Sequence, residues 1–86
     1  MAEVTNVSTT PNPDAMKFTL DRRFDEMFTV PSAEDAESNP FAAAVFASGG
    51  VASVFGTADF VTITRAAGGD WDDIESAVRA AAAEHL

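Results

Sequence analysis

Short runs of apolar and β-branched residues open the chain and predict three strands. Residues 3–10 are rich in valine and threonine, and residues 17–20 alternate polar with apolar side chains, as a half-buried strand does. Residues 27–30 form a third and shorter run, which Pro31 either ends or limits to the edge of a sheet. The N-terminal part of the chain is therefore predicted to supply strands.

A short helix is predicted after an acidic loop at residues 32–38. Ser38 or Asn39 can cap this helix, with Pro40 in its first turn. Residues 49–50 are both glycine and supply a left-handed stop, so the helix is about ten residues long. Three apolar side chains share one face of it at helical spacing, namely Phe41, Val45 and Phe46.

The C-terminal part of the chain predicts a β-hairpin followed by a second helix. Residues 51–55 and 60–64 are apolar, β-branched runs separated by residues 56–59, a pattern typical of a hairpin. After a loop at residues 66–69, Asp70 is the predicted cap of the last helix. One stripe of that helix carries Trp71, Ile74, Val78, Ala81, Ala82 and His85.

This order of elements predicts a single α+β domain over residues 1–86. We expect a two-layer sandwich, with a mostly antiparallel sheet and two helices on one face. The other face is then solvated or available to a partner. A domain of this length needs most of its large aromatic side chains inside. We therefore assign seven aromatic residues to the core: Phe18, Phe28, Phe41, Phe46, Phe55, Phe60 and Trp71.

Composition narrows the functional classes. The 86 residues include 14 acidic and 5 basic side chains, for a formal net charge of -9, and there is no cysteine. Disulfides and thiolate-held metals are impossible within this sequence, and the charge argues against nucleic acid and anionic membranes. No apolar run is long enough to span a bilayer, and the first residues lack the pattern of a signal peptide. We expect a complete, cytoplasmic, monomeric protein without a cofactor.

Catalytic and metal-binding motifs are weak. The acids of residues 70–75 lack the glycine-centred turn of a calcium loop, and helix capping explains them. His85, the single histidine, is one residue from the end, so no histidine-centred nucleophile arrangement can be built away from a frayed terminus. The glycines at 49–50 follow a helix, whereas a dinucleotide fingerprint precedes one. We expect no enzymatic activity.

The segment between the first two strands is the candidate site. Its proposed partner-binding residues are Thr10, Pro11, Asn12, Pro13, Asp14 and Lys17. One interpretation is a rigid turn in which Asn12 bonds its own backbone. The other is a recognition surface, because a preordered loop loses less entropy on binding. Local physics alone favours the structural interpretation.

Ordered motifs over nearly the whole chain resemble the N-terminal domain of the Nfu/NifU-like iron–sulfur scaffold proteins. Residues 10–18 match Thr-Pro-Asn-Pro-x-x-x-Lys-Phe, and residues 38–42 are similar to the family's Ser-Pro-Leu-Ala helix start. Residues 50–55 resemble its Gly-Val-x-x-Val-Phe strand, and residues 59–64 its Asp-Phe-[IV]-Thr-[VI]-Thr strand. Residues 70–74 are similar to its Asp-Trp helix start.

The resemblance implies a small α+β domain with a place in iron–sulfur cluster assembly or delivery. Full-length members carry their cluster on a Cys-x-x-Cys pair in a second domain, and this sequence has no cysteine to carry that role. We therefore expect a stand-alone, non-enzymatic interaction module whose partner is a cluster scaffold, a carrier or a client protein. The predicted edge at residues 27–30 is a further test surface, because strand addition suits such an edge. The alternative is carboxylate-based binding of iron or another divalent cation.

Overall fold

The computed structural model describes residues 2–86, so residue 1 of the predicted domain lies outside the described part. Its elements follow the predicted order. They are β1 (Val4–Thr9), β2 (Ala15–Leu20), β3 (Phe28–Val30), a 3-10 helix (Ala33–Ser38), α1 (Pro40–Phe46), β4 (Val51–Thr57), β5 (Phe60–Arg65) and α2 (Trp71–His85). The predicted α+β class is confirmed.

All five strands form one antiparallel sheet in the order β1-β2-β5-β4-β3. Two hairpins, β1–β2 and β4–β5, lie side by side through the β2–β5 pair, and β3 joins the free side of β4. The second hairpin turns at Ala58 and Asp59 alone, because Gly56 and Thr57 continue β4. Ala58 accepts a left-handed φ of 50° in that tight turn.

Local hydrogen bonds set the boundaries of α1. The Asn39 side chain accepts the Ala42 N–H, and Pro40 occupies the first helical position. The helix has seven residues rather than about ten, and Gly49 follows it with a φ of 86°. The prediction of an irregular loop before this helix is wrong. Residues 33–38 form a 3-10 helix, because small residues let Ala36 pack into the core while the polar side chains face water.

The second helix begins as predicted and buries four residues of its apolar stripe. Asp70 Oδ1 accepts the Asp72 N–H at 2.8 Å, which makes Asp70 the N-cap. The buried side chains are Ile74, Val78, Ala81 and Ala82. His85 follows Val78 and Ala81 on this stripe at helical spacing but is not among the buried residues. Its side chain is about 34% exposed, and its Nε2 lies 3.7 Å from Glu84 Oε2.

The core lies between the helices and one face of the sheet. Strand residues Phe18, Val61 and Ile63 are buried there against helix residues Phe41 and Val45. No helix in residues 2–86 is long and apolar enough to cross a membrane.

Two aromatic residues assigned to the core lie on the other side of the sheet. Val54 and Val61 point into the core, so strand alternation turns their neighbours Phe55 and Phe60 outward, where both are half-buried. Neither packs against the core cluster. Of the other five, two are buried and three, Phe28, Phe46 and Trp71, are half-buried against the cluster.

Candidate functional site

The segment from Thr10 to Asp14, here called the proline turn, is closed by its own hydrogen bonds. The Thr10 hydroxyl accepts the Asn12 N–H at 3.1 Å and lies 2.9 Å from the Asn12 carbonyl oxygen. The Asn12 side chain accepts the Asp14 N–H at 2.9 Å, and the Asn12 carbonyl accepts the Ala15 N–H at 3.0 Å. The predicted bonding of Asn12 to its own backbone is confirmed, and these bonds restrict the turn to one shape.

A second set of contacts ties the proline turn to the rest of the sheet. The Arg65 N–H donates to the Asp14 carbonyl at 2.6 Å, and its guanidinium lies 2.9 Å from Asp14 Oδ1. The same guanidinium lies over the Trp71 ring, 5.4 Å from its centroid. The ion pair is largely exposed and contributes little stability on its own, about 0–1 kcal/mol. Its role is positional, because it joins the turn to β5 and to the start of α2.

The structure gathers five of the six candidate residues in the proline turn. Pro11, Asn12, Pro13 and Asp14 are exposed, and Thr10 is half-buried. The turn therefore presents a fixed arrangement of exposed prolines, an amide and a carboxylate. A surface that is already ordered loses little conformational entropy when it is bound.

Lys17 stands apart from the proline turn. It lies in β2, three residues beyond Asp14, and faces away from the helices. Its ammonium lies over the Phe60 ring, 4.4 Å from the centroid. The candidate site is thus two adjoining parts: a turn at one end of the sheet, and a lysine on the sheet itself.

The predicted edge at residues 27–30 is present but short. β3 pairs only with β4 among the described strands, and it spans the three residues Phe28–Val30 before Pro31. Met27 beside it is 66% exposed, the one large hydrophobic side chain so exposed in residues 2–86. Phe24, which the sequence analysis did not single out, packs edge-on against Phe28 at 5.2 Å. In the sequence, this contact is indicated by two phenylalanines, Phe24 and Phe28, that stand on either side of a short charged segment.

Small depressions occur on the described surface at places that include the following two. One of about 100 Å³ lies where residues 49–50 approach residues 68–69 at the start of α2. Another of about 380 Å³ lies between Glu3 and Arg79. Within residues 2–86, no three His, Cys, Asp or Glu side chains converge as metal ligands would. The geometry defines a small two-layer α+β domain whose preorganised surface is a turn.

Comparison with known proteins identifies the family. The family model described as "Scaffold protein Nfu/NifU N terminal" matches residues 4–86. The chain belongs to this family, which confirms the resemblance seen in the motifs. It is 38% identical over 65 residues to NifU-like protein 5, mitochondrial, of Arabidopsis thaliana, covering 73% of the chain and 24% of that protein.

A second curated relative supports the same family assignment. The chain is 38% identical over 74 residues to the NFU1 iron-sulfur cluster scaffold homolog, mitochondrial, of Drosophila erecta, covering 80% of the chain and 25% of that protein. The chain thus spans about a quarter of the length of these curated relatives.

The crystal structure of protein SAV1430 from Staphylococcus aureus superimposes with a TM-score of 0.77 at 26% identity, covering 92% of this chain and 96% of that one. The solution structure of SeR13 from Staphylococcus epidermidis has a TM-score of 0.66 at 29% identity, covering 98% and 99%.

Proposed function

We propose that the chain acts as a non-enzymatic protein-interaction domain in iron–sulfur cluster assembly or delivery. Its family and its curated relatives, one of which is named as an iron-sulfur cluster scaffold homolog, support this role. These 86 residues contain no cysteine and offer no thiolate ligand, so in this proposal the cluster is assigned to the partner. That partner is a cluster scaffold, a carrier or a client apoprotein. The cytoplasmic location inferred from the sequence stays a prediction, since these curated relatives are named as mitochondrial.

The observation that carries the proposal is the preorganised proline turn. Its polar groups are fixed by bonds within the turn and by Arg65, yet its prolines and the side chains of Asn12 and Asp14 face solvent. A two-residue hairpin connection would join β1 to β2 with less chain. Order combined with exposure suits a recognition surface, because the partner does not have to immobilise it. Lys17 extends the same surface along β2.

The role is tested by titrating the protein with a cluster-carrying Nfu-type scaffold domain and measuring the dissociation constant by calorimetry. We expect saturable binding, weakened about fivefold or more by Asn12→Ala, which unties the turn, and by Lys17→Ala. Ser76→Ala, at an exposed position of α2, is the control and should bind as the wild type does. Binding that neither variant weakens would remove the turn and Lys17 from the contact. Absence of binding to scaffold, carrier and client proteins alike would contradict the proposed role.

Nothing in the described structure favours the alternative, divalent cation binding through carboxylates. The Asp70 carboxylate caps the start of α2 by accepting the Asp72 N–H, and Asp14 is paired with Arg65. We therefore do not propose that alternative.

A further inference from the structure

The face of the sheet that points away from the helices, here called the open face, carries no carboxylate. None of the five strands contains an aspartate or glutamate, although the chain has 14 acidic residues. The acids are confined to turns, loops and helices. In a protein of net charge -9, the open face is therefore an area without negative side chains, bounded by acidic turns and loops.

Strand pairing arranges the open face into rows that cross the sheet. One row runs through all five strands as Thr29, Phe55, Thr62, Lys17 and Ser8. The next row carries Thr57, Phe60, Thr19 and Asn6. A hydrogen bond of 2.9 Å from the Asn6 amide to the Ser8 hydroxyl confirms that alternate residues of β1 share this face. The face combines hydroxyl groups with two aromatic rings around one lysine.

Lys17 is the sole lysine of the sequence, and it forms no salt bridge within residues 2–86. Arg65 and Arg79, by contrast, are paired with Asp14 and Glu75. The Lys17 ammonium instead lies over the Phe60 ring, and its cross-strand neighbours Ser8 and Thr62 end in hydroxyl groups. A cation held in this way keeps its charge available for an acceptor from outside the chain.

We propose that the open face docks a segment of a partner protein that is uncharged except for one carboxylate, which pairs with Lys17. The threonine and serine side chains of these rows contact small β-branched or hydroxyl side chains of the segment, and Phe55 and Phe60 supply the apolar contact. Apart from Lys17 the face carries no charged side chain, and the other charged groups lie at its rim, as is usual for a protein interface. This inference adds a surface and a partner chemistry to the proline turn, and it does not depend on the proposed function.

A second copy of the chain fits this face less well. Five strands about 4.8 Å apart and about six residues long give a footprint of roughly 400 Å². A standard interface buries about 800 Å² per partner, so the face alone is too small for a stable dimer. Two copies would also bring together two chains of net charge -9 and set two lysine-bearing faces against each other.

The test is a titration of the isotope-labelled protein, followed by backbone amide chemical shifts in NMR spectra. The probe is the blocked peptide Thr-Val-Glu-Val-Thr at up to about 5 mM, with Thr-Val-Gln-Val-Thr as the uncharged control. We expect saturable shifts at Ser8, Lys17 and Thr62, about threefold larger with the glutamate peptide. The Lys17→Gln variant should reduce them to the level of the control peptide. Arg23→Gln, which removes the same charge from an exposed loop, should leave them unchanged.

Four results would overturn the inference. They are equal shifts with both peptides, shifts centred on the acidic loops, shifts that Lys17→Gln does not reduce, or no saturable shift at all. Shifts that follow protein concentration without peptide would indicate a second copy on the face and would also contradict the proposed occupant. Melting temperatures of the two variants close to that of the wild type establish that both remain folded. The titration uses no iron–sulfur protein, so its outcome is separate from that of the calorimetric test.

Discussion

The two faces of the sheet carry the same strands but opposite chemistry. On the covered face Phe18, Val61 and Ile63 are fully buried under the helices. On the open face their neighbours along the strands are Lys17, Phe60 and threonines, and all of them are only half-buried. Alternation of side chains allows one strand to serve both faces at once. Packing therefore sets the residue types on one face, while the other is free to carry recognition chemistry.

The two faces are expected to differ most in the free energy of unfolding that is lost when a phenylalanine is replaced by alanine. Phe18→Ala empties a buried site and should lower the free energy of unfolding by about 3–5 kcal/mol. Phe60→Ala removes a half-exposed ring and its contact with Lys17, at a cost of about 1 kcal/mol. Urea unfolding followed by circular dichroism measures both. Losses of equal size would show that the open face is covered in solution.

A smaller effect is expected where β3 meets β4 on the covered face. A Cβ at Gly56 would overlap the ring of Phe28, which lies directly across the strand pair. Gly56→Ala should cost about 1–3 kcal/mol, because the ring must move. Thr57→Ala, one residue along and on the open face, should change stability by less than about 0.5 kcal/mol. If Phe28→Leu did not reduce the cost of Gly56→Ala in a double-mutant cycle, the close approach of these residues would be refuted.

The N-cap of α2 tests how much a helix end contributes to the stability of the helices that cover the sheet. Asp70→Ala removes the acceptor of the Asp72 N–H and should cost about 1 kcal/mol in thermal or urea unfolding. Asp70→Asn keeps an acceptor and loses only the charge at the helix start, so a few tenths of a kcal/mol are expected. Equal losses for the two variants would mean that charge, and not the hydrogen bond, stabilises this helix end.

The smallest effect is expected in the proline turn. Asn12→Ala removes the acceptor of the Asp14 N–H and should cost at most about 1 kcal/mol, because the turn is exposed. Amide hydrogen exchange at Asp14 and Ala15 should become faster, while the core strands keep their protection. Asn6→Ala serves as the control and should leave exchange in the turn unchanged. Unchanged exchange in Asn12→Ala would show that the other bonds suffice to order the turn.

Local sequence signals predicted the parts of the structure that local bonds create. Hydrogen bonds between residues two or three positions apart form the helix caps at Asn39 and Asp70 and the internal bond of Asn12. Such bonds can therefore be predicted from the sequence. The 3-10 helix was missed because a polar run with few apolar residues has no strong helical periodicity. The core assignment failed for Phe55 and Phe60, since composition indicates how many aromatics a core needs but not which face each occupies.

The sequence by itself determined the order of the strands and α-helices, the β4–β5 hairpin, the strong negative charge and the family, because each follows from short-range patterning or composition. Only the tertiary structure decided that β2 pairs with β5, that β3 returns to the edge beside β4, and which face of the sheet the helices cover. These choices depend on contacts between residues far apart in the chain, whose energies no short window contains. They also placed Lys17 over Phe60 on the sheet face that points away from the helices.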